Sequence, residues 1–440
     1  MAMLLAHILL IGCVGSVELS PVSADLDGDV ATLVRVRWTQ DVEAETWLEF
    51  EADGESWSSP ARLTEAGRNE ELILGVPADT EVTFKVVAER DGKRSESEES
   101  SAVTGPLPET LPEPVVEIWE ADGASPERWV LGSVDTDGGE AYTGPFWLFI
   151  ANREGRVVWY HELLRWNMSM FPRVARDGTH IAFDDHSFWD AGGEGALIRR
   201  MSLSGDYSED FEAPGLGWAW DETDEGTLLY DQHVGVPDVT IQEIAADGTR
   251  SEVWDCAAWM AAWDDDPEHC QSNTVNWVAE TDSIMWSTYW GDYIAEIDRQ
   301  TGAVLWHAGV LPEGLEIQPA EAALDLQHYP NYTPDGTLIV STHVLGEEGQ
   351  QRAREFVVDA AAGTLSEIWA YGEGVEGYAE YSGEAVRLHN GNTLLNYGTG
   401  GEIREIDGDG ETVWSLQWGD ERTLGHSQLV GDLYALDQGR

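Results

Sequence analysis

The sequence predicts an all-β protein: a six-bladed β-propeller preceded by a small β-sandwich. The first observation is a strand, a turn with Gly, and a second strand carrying Trp or another aromatic, recurring along the last three-quarters of the chain. The second is a Gly turn followed by an apolar strand, interleaved with the first pattern. Both recur roughly every 50 residues, the period of a propeller blade of four short strands. One such unit cannot bury its own faces, so the copies close into a ring. The third observation is a separate N-terminal region of alternating strands, cut off by a run of prolines.

In chain order, Met1 to Cys13 is a short apolar stretch ending in a small residue and a cysteine. It is too short to span a bilayer as a helix and reads as a signal peptide. Leu10-Ile11-Gly12-Cys13 resembles the bacterial lipobox. That resemblance implies lipidation of Cys13, with residues 1–20 as signal peptide and tether and an exported membrane lipoprotein facing periplasm or cell surface. No later segment is apolar enough to cross a membrane, so any membrane contact would be through the lipid.

Residues 21–105 alternate apolar and polar at Val34, Val36 and Trp38, and again at Val82, Phe84, Val86 and Ala88. With Leu74-Gly75-Val76-Pro77 before the second run, they resemble a fibronectin type III domain. The resemblance implies a β-sandwich serving as spacer or docking module. Pro106, Pro108, Pro112 and Pro114 make 106–115 a stiff linker.

Residues 116–440 carry the repeats. The aromatic copies end at Trp159, Trp254, Trp306, Trp369 and Trp414, with a copy lacking Trp at Ile198 to Met201. The Gly-turn copies are Asp177-Gly178, Glu225-Gly226, Asp335-Gly336 and Gly391-Asn392, and Ser283 to Trp286 fills the remaining slot.

Composition excludes one class of partner. The chain of 440 residues has 83 acidic and 24 basic residues, a net charge of −59. Phosphate backbones need a positive footprint, so nucleic acid is ruled out as a partner. The acidity reads as a solvated surface suited to secretion or high salt. Asp25-Leu26-Asp27-Gly28-Asp29 lacks the later ligands of a calcium loop and reads as a turn. Cys256 and Cys270 lie close together after the Trp254 strand. In an exported chain they point to a disulfide, with a zinc site beside His269 or free thiols as the alternatives. Neither a metal nor a cofactor is expected.

Ligands of propellers bind at the mouth of the central channel. Taking the strands after the Gly turns as innermost, their ends turn polar together: Asp184, Asp185 and His186; Asp231 and His233; Ser287 and Tyr289; Ser341 and His343; Asn396. A matched set of this kind is expected to line a channel wall.

Gln327-His328 before its Asp-Gly turn, Ser272-Asn273-Thr274-Val275 and Ile297 to Trp306 occur in order with Arg352-Ala353-Arg354-Glu355-Phe356 and Leu388-His389-Asn390-Gly391-Asn392-Thr393-Leu394. This ordered set, from about residue 112 to 420, resembles the bacterial arylsulfotransferases. The resemblance implies transfer of a sulfuryl group from an aryl sulfate to a phenol through a sulfated histidine, without a nucleotide donor. It places the nucleophile at His328 and substrate contacts at Gln271, Asn273, Tyr289, His233, His343 and Arg352. A neutral imidazole suits the task near pH 7. The chain departs from the family where a His becomes Gln271, an Arg becomes Tyr289 and another His falls at Trp218. A propeller of the same fold that binds without turnover, and a quinoprotein-like scaffold resembling Asp298 to Trp306, are the competing readings.

Overall fold

The computed structural model describes residues 16–136, 145–187, 195–233, 239–263, 267–344, 350–375, 377–379, 381–419 and 422–438. Cys13 lies outside them. The chain divides into two compact units, Met1–Leu107 and Pro108–Arg440, with the division inside the proline run. The described part is all-β, and its helices are single turns such as Cys256–Met260. No helix is long and apolar enough to cross a membrane.

The first unit holds two sheets. Ser23–Leu26, Val34–Gln40 and Gly67–Ile73 form one, and Glu55–Ser58, Ala44–Ala52, Glu81–Arg90 and Lys93–Glu96 form the spine of the other. Alternation explains both: Val34, Val36 and Trp38 are buried between exposed or half-buried neighbours, as are Val82, Phe84 and Val86. Phe50 stands opposite Phe84 across the ladder. Asp27 accepts from the backbone N–H of Asp29 and Val30 at 3.1 and 3.4 Å, which makes that acidic stretch a turn.

The described residues of the second unit form six sheets of four or five strands, antiparallel except where Glu316–Gln318 pairs in parallel with Thr364–Tyr371. The innermost strands are Gln428–Val430, Arg173–Val174, Leu216–Glu222, Ser272–Val278, His328–Tyr332 and Gly383–Arg387. Hydrogen bonds pass around them as a closed ring. Asp221 receives Arg173 from one side and the Trp277 N–H, at 2.7 Å, from the other. Asn276 donates to the Pro330 carbonyl, Asn331 to the Ala385 carbonyl, and Ser427 N–H to Glu384. The Val174 N–H returns to the Gln428 side chain at 2.8 Å.

The strands after the Gly turns are therefore second from the centre, not innermost as their polar ends had implied. Each pairs with the strand that precedes its turn, as Ile181–Asp185 does with Arg173–Val174. The third and fourth strands carry the aromatic repeat. In five sheets a β-bulge follows the residue opposite the Trp: Ile150 with Trp159, Ile241 with Trp254, Glu296 with Trp306, Glu355 with Trp369, and Glu405 with Trp414. The extra residue bends the outer strand over the next sheet. The Trp159 indole accordingly donates to the Leu203 carbonyl, and the Trp414 indole to the Arg153 carbonyl, each at 2.8 Å. Gly155 and Gly410 make the intervening turns at φ 79° and 85°, where a side chain is disfavoured.

The first and last strands of this unit complete sheets formed by the opposite end of its sequence. Gln428–Val430 pairs with Trp129–Asp135 of the first sheet, and Val115–Trp119 pairs with Thr412–Gln417 of the last. A buried cluster joins these two sheets. Glu405 accepts from the Ser125 N–H and hydroxyl at 2.6 and 3.0 Å, from Asn392 at 2.6 Å, and from Arg153. The Arg153 guanidinium lies 4.2 Å from the Trp414 ring centroid. Cys256 and Cys270 form a disulfide, with Cα atoms 5.8 Å apart, across the connection between the third and fourth sheets.

Two stability effects follow from these features. Arg153→Ala leaves Glu405 buried without its cation and costs about 3–5 kcal/mol, whereas Arg153→Met with Glu405→Leu costs less. Urea midpoints of the two variants beside wild type check the order. Replacing both cysteines by serine costs roughly 3 kcal/mol, the scale for a loop of this length. Melting the protein with and without a thiol reductant reads the same loss.

Candidate functional site

The first strands start on one face of the second unit, and a cavity of about 320 Å³ opens among their ends. Aromatic rings dominate its wall: Phe171, Trp218, Tyr289, Trp290, Tyr329 and Tyr381. His328, Gln271, Asn273, Glu384 and His426 supply polar groups.

The backbone around His328 is unusual. Leu326 and Tyr329 have φ of 43° and 52°, and Ser382 across the wall has 64°, all left-handed without being glycine. Such conformations persist only where surrounding contacts impose them, and they concentrate at functional sites. The contacts here are visible. The buried Gln327 amide donates to Ser287 Oγ at 3.1 Å, to the Thr288 carbonyl at 2.8 Å and to the Tyr293 carbonyl at 2.9 Å. The Tyr329 N–H donates to Thr274 Oγ1 at 3.0 Å, and Asn273 Nδ2 to the Gln327 carbonyl at 2.7 Å. The fourth sheet thus grips the Gln327-His328 pair on both sides.

His328 Nδ1 stands 3.0 Å from the Leu326 carbonyl. A carbonyl only accepts, so Nδ1 carries the proton and Nε2 keeps a lone pair. Nε2 has no hydrogen-bond partner among the described residues. Burial pushes the imidazole down to about 4, with the Leu326 hydrogen bond opposing. The ring is therefore neutral near pH 7. Tyr289 meets it edge-on at 5.7 Å between centroids, and His343 lies at 5.1 Å.

The other residues singled out from the sequence divide. Gln271 and Tyr289 line the cavity beside His328, and their backbones are joined by a 2.7 Å hydrogen bond. Asn273 also lines it, but its amide N–H is engaged with the Gln327 carbonyl, so it holds the turn that carries His328. His343 is buried behind His328, with Nε2 so near Gly383 that a Cβ there would lie 2.8 Å away. His233 and Arg352 are not among the cavity-lining residues. His233 bonds Asp231 at 3.0 Å and lies over Gly217, which has no room for a side chain. Arg352 sits on the third strand of its sheet, opposite Thr342.

The matched polar ends have a structural task. Asp184 accepts from the N–H groups of Met170 and Phe171 at 2.7 and 2.8 Å. Asp231 does the same for Trp218 and Ala219 at 2.9 and 2.8 Å. Asn396 donates to the Gly425 carbonyl at 2.7 Å. Each holds down the end of a first strand. Burial raises the Asp184 carboxyl, but His186 and these N–H groups outweigh it and hold it below its usual range. His186 is consumed between Asp184 and the Gly217 carbonyl.

Glu384, His426 and Phe171 lie outside the sequence-based set because the polar strand ends point to the second strand of each sheet, not the innermost one. Counting back six or seven residues from each Asp-Gly, Glu-Gly or Asn-Gly turn reaches Phe171, Trp218, His328 and Glu384, all of them cavity residues. His426 has no such turn after it. Among the described residues, no cluster of His, Cys, Asp and Glu has the form of a metal site.

No protein-family description matches the chain, and no curated protein matches it. Several solved structures are similar. A streptogramin B lyase is 14% identical over 69% of this chain and 87% of its own, with a TM-score of 0.39. The virginiamycin B lyase of Staphylococcus aureus is 10% identical over 71% of this chain and 100% of its own, at 0.39. A protein from Lactobacillus plantarum is 10% identical over 66% of this chain and 82% of its own, at 0.42. At such identities and scores these likenesses carry no argument about chemistry.

Proposed function

We propose that this chain is an arylsulfotransferase-like protein that moves a sulfuryl group from an aryl sulfate to a phenol through His328. The observation that carries the reading is the state of His328. It is neutral, its tautomer is set by the Leu326 carbonyl, and its bare Nε2 lies in a cavity walled by aromatic rings. Such a wall suits an aryl ring on donor and acceptor alike. In the same reading the second unit is a six-bladed propeller, supported by the closed ring of hydrogen bonds among six first strands. The first unit is a fibronectin type III-like sandwich, supported by its two sheets of alternating burial. The protein is exported and held by lipid at Cys13, which accords with the disulfide.

Aryl sulfates are anions, and the cavity-lining residues include no Lys or Arg. Beneath Phe171, with 6.0 Å from guanidinium carbon to ring centroid, is Arg173. Burial pushes this guanidinium down, but Asp221, Tyr329, Asp184 and Glu384 outweigh it, so it keeps its charge. Its Nε and Nη2 have no hydrogen-bond partner among the described residues. The absence of a cation from the wall itself favours a second reading, in which the cavity holds an uncharged aromatic ligand without turnover.

Incubation with 4-nitrophenyl sulfate and phenol separates the two. Expected are acceptor-dependent release of 4-nitrophenol and a sulfuryl group on the peptide containing His328 by mass spectrometry. His328→Ala lowers the rate on the order of a thousandfold or more, the scale of a lost nucleophile. The pH profile carries the sign of the shift. His328 is deprotonated above about 4, so the limb due to the nucleophile stays level from neutral pH to about 5 and falls below about 4. An unmodified His328 and no release from folded protein would leave the binding reading.

A further inference from the structure

The cavity contains a second histidine that none of the preceding roles uses. His426 lies in the wall with Glu384, and both are buried to 6% exposure. His426 Nδ1 stands 3.0 Å from Glu384 Oε1, and the other carboxylate oxygen accepts the Ser427 N–H at 3.3 Å. The carboxylate therefore fixes the Nδ1–H tautomer and orients the ring. The ring packs against both Tyr329 and Phe171, at 4.9 and 6.3 Å between centroids. The His426 backbone N–H is tied to the Met170 carbonyl at 2.6 Å. Nε2 has no hydrogen-bond partner among the described residues. His186 and His233, by contrast, have Nε2 engaged with Gly217 and Asp231. A carboxylate-backed imidazole with a bare Nε2, lining the same cavity as His328, is the arrangement of a proton carrier and its positioning residue.

We propose that His426, positioned by Glu384, is the acid and base of the transfer and acts on the phenolic oxygen of donor and acceptor in turn. This inference rests on the sulfuryl-transfer reading. In the first half, an N–S bond forms at His328 Nε2 while the S–O(aryl) bond breaks. The electron pair leaves on the aryl oxygen, and protonated His426 delivers its Nε2 proton to that oxygen. The first phenol departs. In the second half, neutral His426 takes the hydroxyl proton of the acceptor phenol as its oxygen attacks sulfur. The N–S bond breaks, its pair returns to His328 Nε2, and His426 is again protonated. Glu384 stabilises the imidazolium present before the first half and after the second.

The leaving group reveals the acid. 4-Nitrophenoxide departs without a proton far more readily than phenoxide. Sulfation of His328 is therefore measured in a single turnover of the full chain with 4-nitrophenyl sulfate and with phenyl sulfate, for wild type, His426→Gln and Glu384→Gln. Expected for His426→Gln is a loss of about 10²–10³-fold with phenyl sulfate and less than about tenfold with 4-nitrophenyl sulfate. Added imidazole restores part of the phenyl sulfate rate. Glu384→Gln shows a smaller loss with the same preference. Melting curves establish that the variants are folded. Equal losses with both donors, or no loss, overturn the role of His426 while His328 sulfation in wild type upholds the reading beneath it. No His328 sulfation in wild type with either donor overturns both.

Discussion

Neither the first nor the last sheet of Pro108–Arg440 is complete until the chain ends arrive. Gln428–Val430 supplies the innermost strand of the first sheet, and Val115–Trp119 the outermost strand of the last. Closure is thus the constraint on which the site depends. His426 sits two residues before the closing strand, and Gly425 is held by Asn396 of the last sheet. If the closing strand does not pair, Glu384 loses its imidazole and the cavity loses a wall. The Arg153–Glu405 cluster secures the same junction from outside the centre. Its partners are separated by up to 280 residues in sequence. Contacts so distant are entropically expensive and form late.

The closure motif repeats between other neighbours, and the repetition explains a peculiarity of the cavity. Glu243 pairs with Arg299, Glu355 with Arg387, and Arg200 with Glu222. Glu296 uses Tyr332 in the same way, at 2.8 Å. Most of these pairs join one sheet's third strand to the following sheet, and buried cations must be paired there. The chain has 24 basic residues against 83 acidic ones, and Arg153, Arg200, Arg299 and Arg387 are spent on these junctions. Arg173, next below the cavity, is itself held by Asp221 as part of the inner ring. A chain of this composition secures its sheets with arginine and builds its cavity from aromatic rings and imidazoles.

The repeats made the sheets legible. Gly turns and Trp strands have fixed spacings, and spacing is what a sequence displays directly. The order of strands within a sheet was less accessible. A second strand buried on both faces and ending in Asp or His looks like a channel wall when read alone. Only the partners reveal that Asp184, Asp231 and Asn396 face the backbone of the neighbouring strand. His328 could be read because Gln327-His328 is a local motif. The Gln holds three acceptors and the His is aimed by its own backbone two residues back. Glu384–His426 could not, since 42 residues separate its members and no Gly turn follows His426 to mark it.

The missing cation bears differently on the two ends of a sulfuryl transfer. A bound aryl sulfate brings a full negative charge into a cavity of aromatic rings, inside a protein of net charge −59. That step is opposed by both desolvation and field. A sulfuryl group on His328 Nε2 is another matter. Nδ1 keeps its proton and its hydrogen bond to Leu326, so the sulfated ring is a positive imidazolium joined to a negative sulfonate. It carries no net charge and has its counter-ion built in. An aromatic, cation-poor cavity therefore disfavours the donor more than the intermediate. Under sulfuryl transfer this difference works toward the products of the first half: weak binding of the donor, followed by a comparatively comfortable sulfated histidine. Under the proposed role of His426, its protonated ring reduces the remaining disadvantage of the donor, because its charge faces the bound anion and its proton is used as that anion reacts.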